Sequence, residues 1–202
     1  MQGSRKGAPR ASLALAAVAV LCGVFVPATS AGAYNLNGCK FATSNLTYYV
    51  ATNASPTTNF SGAAADWNAA QGDLAISAGT ASTHSINARN ENLGATGWSG
   101  KFHRKGNTSL GVQCALGLWF SGQPAITVNN NYNSTSSARR RGVAVHEFGH
   151  AFGLNHNNNG SGCPGGGTDY EAIMYYSDSR FSGNCAVFKP RTDDANGVKA
   201  MY

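Results

Sequence analysis

The chain has 202 residues, 42% hydrophobic and 10% aromatic but only 12% charged, with a formal charge of +6. That length suffices for one hydrophobic core, and so many aromatic residues with so little charge exclude a disordered solubilising chain. The 25 glycines favour a fold rich in turns over a helical bundle, and no repeat of solenoid length is visible.

The excess of bases does not mark a nucleic-acid surface. Arg5, Lys6 and Arg10 precede an apolar run from Leu13 to Pro27 and a small-residue stretch ending Ala31-Gly32-Ala33. This order reads as a secretory signal peptide over residues 1–33, cut after Ala33. Its apolar run is short for a membrane span. Without those three bases, residues 34–202 carry 12 bases against 9 acids, or +3. We expect this part to form a single extracellular domain and a monomer, with neither a nucleic-acid partner nor a membrane association after signal cleavage. Losing Cys22 with the signal leaves Cys39, Cys114, Cys163 and Cys185. Of the three possible pairings we favour Cys39–Cys114, which joins the halves, with Cys163–Cys185, which closes a short loop.

In chain order, Leu46–Val50 is an aromatic and β-branched run that predicts a strand. Phe60–Ala70 predicts a helix with Phe60 and Trp67 on one face. Strands are expected at Leu74–Ile76, Ser85–Ala88, Leu116–Phe120 and Ala125–Asn129, separated by Gly-, Ser- and Asn-rich turns. Ser136 or Ser137 can cap a helix from about Ala138 to Phe152 that stops at Gly153. Residues 155–190 read as irregular. Thr192 then caps a last helix whose Asp193 and Asp194 suit a helix N-terminus. Strands flanked by two or three helices make an α+β domain.

The chemistry is concentrated in the second helix. His146 and His150, four residues apart, project from one helical face and can bind one metal, with Glu147 beside them. Gly153 can take a positive φ and turn the chain so that His156 supplies a third nitrogen. Three imidazoles with an open fourth position describe catalytic zinc, and Glu147 can take the proton of a water activated there. Phe148, Ala151, Phe152 and Leu154 supply the packing, so the histidines are not needed for the core.

The run His146-Glu147-Phe148-Gly149-His150-Ala151-Phe152-Gly153-Leu154-Asn155-His156 resembles the elongated zinc motif of the metzincin metalloendopeptidases. Ala172-Ile173-Met174-Tyr175-Tyr176 resembles their methionine turn. The C-terminal segment from Asp193, the Asn45–Tyr49 strand and Trp67 resemble matrixin-type catalytic domains. The resemblance implies a single catalytic domain over residues 34–202, with a twisted, mostly parallel sheet of about five strands, an active-site helix and a C-terminal helix. It further implies zinc-dependent cleavage of internal bonds in protein or peptide substrates laid beside an edge strand, Leu116–Phe120 by position. Met174 would floor the site, Asp194 support the methionine turn and Asp193 pair with the Tyr34 amine. Tyr176, two residues after the methionine, resembles instead the astacin and serralysin branches, where such a tyrosine stabilises the transition state. A cysteine latch is also open, with Cys39 on the zinc.

Weaker features carry less. His84 and His103 read as surface histidines, and Arg139–Arg141 as a solvated first turn. Calcium remains possible through the scattered acids Asp66, Asp73, Asp169 and Asp178, but no EF-hand-like motif supports it. Two rival functions stay open: a secreted zinc-binding module that recognises peptide without cutting it, and a zinc hydrolase of non-peptide amides.

Overall fold

A computed structural model describes residues 34–51, 58–133, 136–162 and 168–202. The signal-peptide reading and Cys163 therefore lie outside the described residues. Strand β1 (Asn45–Val50) buries Leu46 and Tyr48 while the residues between them are more open, the alternation a half-buried strand requires. Helix α1 (Thr58–Ala70) buries Phe60, Ala63, Ala64 and Trp67, spaced along one helical stripe. Strands β2 (Ala75–Ala78) and β3 (Ile86–Glu91) follow. Next come β4 (Gly100–Arg104) and β5 (Pro124–Asn129). All six residues of β5 are buried, because it is paired on both edges. Helices α2 (Ser137–Ala151) and α3 (Thr192–Met201) complete the frame.

The sheet runs β2-β1-β3-β5-β4, parallel throughout except for β4, which lies antiparallel to β5 at one edge. The core fills the space between this sheet and the helices. Phe60 and Tyr48 meet Phe148 edge to face, and the Trp67 indole N–H donates to the Val145 carbonyl of α2 at 2.9 Å. The α+β class, the mostly parallel five-stranded sheet and both motif-bearing helices agree with the sequence.

Several local readings need correction. Leu116–Phe120 is not a sheet edge. Cys114–Ala115 and Leu118–Trp119 form a separate hairpin whose tip, Leu116, is fully exposed with φ +52°. The edge is β4, which escaped notice because Gly-Lys-Phe-His-Arg contains no β-branched residue. The Cys39–Cys114 disulfide ties the hairpin to the N-terminal segment and removes Cys39 as a thiol ligand. Cys185 is also disulfide-bonded. His84 is partly exposed, but His103 is buried, between the Arg104 carbonyl (2.8 Å) and the Thr127 hydroxyl (2.7 Å).

The three arginines are partnered rather than merely solvated. Arg139 reaches Asp178 at 2.8 Å, Arg140 donates to the Asn133 carbonyl at 2.9 Å, and Arg141 holds Asp66 with two bonds of 2.6 Å. Pairing with carboxylates removes the penalty that bare cations would impose near a helix N-terminus. Ser136 caps α2 by accepting from the Arg139 N–H. At α3 the cap residue is Arg191, not Thr192, and the Asp194 carboxylate accepts the Arg191 N–H at 2.7 Å.

Candidate metal centre

Helical geometry brings His146 and His150 to one face of α2, and both are held by backbone. Nδ1 of His146 bonds to the Ile173 carbonyl at 2.8 Å, and Nδ1 of His150 to the Leu154 carbonyl at 2.9 Å. A carbonyl only accepts, so both rings carry their proton on Nδ1 and turn a bare Nε2 inward. After Phe152 the chain reverses at Gly153, whose φ of +106° falls in the left-handed region. A side chain there would also collide with the Cys39 carbonyl, 2.6 Å from the Cβ position. The reversal brings in His156.

The three Nε2 atoms stand 3.1, 3.1 and 3.2 Å apart. Two of these nitrogens have no proton to give, so the triangle is a donor set and not a hydrogen-bonded cluster. Its edges match a tetrahedron with bonds of about 2.0 Å, whose corners lie about 3.3 Å apart, the geometry of zinc on imidazole. Burial lowers the pKa of all three rings, that of His150 to about 4 and that of His146 well below the ordinary value, with the Arg180 charge contributing in each case. They are therefore neutral at neutral pH, the form in which imidazole can bind a metal. Among the described residues they form the one such group of three metal-ligating side chains.

The loop carrying His156 is fixed from behind. The Asn35 amide donates to the His156 carbonyl at 2.7 Å. Asn157 is buried: its N–H donates to the Met174 carbonyl at 2.9 Å and its amide to Asp193 at 2.7 Å. Asp193 thus holds Asn157. Asp194 accepts the N–H groups of Ile173 (2.9 Å) and Met174 (3.2 Å), as the resemblance implied. Met174 is buried against Gly149, which lies between the two helical histidines.

A cleft of about 630 Å³ opens over the three imidazoles. One wall is the run Gly97–Phe102 that leads into β4, and the other is Tyr176, Ser177, Asp178 and Arg180. Glu147 faces this cleft from α2, buried, with the Phe102 N–H donating to its carboxylate. Burial raises its pKa to about 8, against the pull of Arg180 and Lys101. Tyr176 also lines the cleft but is 59% exposed. The β4 wall and Arg180 were missed in the sequence, and Asp178 was read only as a scattered acid open to calcium. The first lacks β-branched residues, and the other two sit in a stretch with no periodicity.

The sequence model of metallopeptidase family M12, of the reprolysin type, matches residues 25–188. The chain belongs to metallopeptidase family M12. It is thus a metzincin-type, zinc-dependent metalloendopeptidase, and its substrates are proteins or peptides. No curated protein matches its sequence. No helix among the described residues of this M12 enzyme is long and apolar enough to cross a membrane.

Proposed function

We propose that this M12 peptidase is secreted and cuts internal peptide bonds, with His146, His150 and His156 holding zinc and Glu147 acting as general base and then general acid. The observation that carries the reading is the Nε2 triangle with a buried carboxylate beside it in the same cleft. Zinc held there supplies a Lewis acid that polarises the scissile carbonyl and acidifies the attacking water. Glu147 takes the proton of that water and later gives it to the departing amine. The Phe102 N–H holds the carboxylate toward the cleft. Tyr176, exposed at the rim, is the candidate donor to the oxyanion that develops on the carbonyl oxygen.

Secretion is supported by the charged, apolar and small-residue order of residues 1–33 and by the Cys39–Cys114 disulfide, which forms in oxidising compartments. The matrixin-like branch within the metzincins rests on the C-terminal helix, where Asp194 braces the methionine turn. No motif for calcium accompanies it, and a monomer remains our expectation. Glu147→Gln should keep zinc bound, by metal analysis, and lower kcat on peptide substrates about 10²–10⁴-fold. Hydrolysis at the wild-type rate would remove Glu147 from the chemistry.

A further inference from the structure

The cleft holds a cation for which peptide hydrolysis has no evident use. Arg180 lies in the 3₁₀ turn Asp178–Phe181, is 2% exposed and lines the cleft with His146 and Glu147. Its guanidinium is held from one side. Nη1 donates to the carbonyls of Tyr175 (2.7 Å) and Ser177 (2.8 Å), and the Phe181 ring centre lies 4.3 Å from the central carbon. The other edge is different. Nε is buried with no hydrogen-bond partner among the described residues. Among the described residues Nη2 has only Asp178 Oδ1 at 3.8 Å, beyond hydrogen-bond reach. Asp178 is engaged elsewhere, its Oδ1 accepting from the Ser99 hydroxyl and its Oδ2 from Arg139, each at 2.8 Å.

A buried donor without an acceptor is costly, and natural structures keep few of them. The Nε–Nη2 edge is moreover the planar fork that fits the two oxygens of a carboxylate. Lys101, on β4, lines the same cleft. Lys101 and Arg180 thus line the cleft together with Glu147 and Asp178, and Asp178 is already bonded to Ser99 and Arg139.

We propose that Arg180 is a specificity residue whose open edge receives the carboxylate of an aspartate or glutamate side chain flanking the bond to be cut. The substrate class is then peptides with an acidic residue beside the scissile bond, a refinement that rests on the peptidase reading of this cleft. Charge-assisted pairing at a desolvated site favours the acid over its amide on the order of tenfold.

The test uses the zinc-loaded mature enzyme. A peptide-library digest should show Asp and Glu enriched at a position adjoining the cut. Matched peptides differing only as Glu against Gln there should differ about tenfold in kcat/KM, the ratio shrinking as salt is added. In Arg180→Lys, which keeps the charge but loses the fork, the Glu/Gln ratio should collapse toward one. Because Arg180 also holds two carbonyls, Lys101→Gln provides a second variant, in which the ratio should fall by less. Equal cleavage of the Glu and Gln peptides by the wild type, or enrichment of apolar residues on both sides of the cut, would overturn the proposal. If no library peptide is cut, the peptidase reading fails separately. Titration of the zinc-loaded protein with the Glu and Gln peptides then still decides the preference, equal affinities overturning it.

Discussion

At the scale of single residues, the three converging histidines were legible and their surroundings were not. Four-residue spacing on a helix fixes where His146 and His150 point, whatever packs around them. Nothing in the chain near His103 announces that β5 will bury it against Thr127, whose hydroxyl oxygen also accepts from Arg89 at 3.0 Å. That burial, with the charges of Arg89 and Lys101 adding to it, lowers the His103 pKa below its ordinary value. The folded protein therefore keeps His103 neutral where the unfolded chain, below a pH of about 6.5, takes up a proton. The stability it contributes is complete above that pH and is lost as the pH falls, at up to about 1.4 kcal/mol per pH unit. Melting of the zinc-loaded protein between about pH 7 and pH 5 should show a slope to which the buried histidines of the metal centre also contribute, and His103→Gln should reduce it by no more than one proton's share.

Whole elements were legible where side chains alternate or repeat. β1, α1 and α2 announce themselves through Leu46 and Tyr48, through Phe60 and Trp67, and through the zinc motif. β4 has no such signature, because its identity comes from pairing with β5 and from the close approach of α2. Gly100 is the point of approach. A Cβ there would lie 2.6 Å from Glu147 Oε1 and would also crowd Val143. Gly100→Ala should therefore displace the Glu147 carboxylate, lowering kcat at least tenfold while metal analysis still finds zinc, since a shift of about 1 Å at a catalytic group costs that much or more. The long stretch after His156 was unreadable for a related reason. Its order comes from single long-range bonds, Asn157 to Asp193 and Arg180 to the Tyr175 carbonyl, rather than from any period.

Across the whole molecule, both ends of the described chain converge behind the metal centre. The Cys39–Cys114 disulfide closes a separation of 75 residues, which in the loop-entropy picture contributes about 4 kcal/mol. Replacing both cysteines with serine should lower the unfolding free energy by about that amount in denaturant titrations. Asn37 donates to the Gly153 carbonyl at 2.9 Å, Lys40 reaches the Met201 carbonyl, and the Phe41 N–H donates to the Tyr202 hydroxyl at 3.2 Å. Asp194, in α3, braces the turn beneath the histidines. This convergence has a consequence in time. A growing polypeptide with its His-Glu-x-x-His helix already complete still lacks the brace beneath it until α3 has been synthesised. The capacity to cut thus waits on α3, about forty residues after the helix that carries the chemistry has been made.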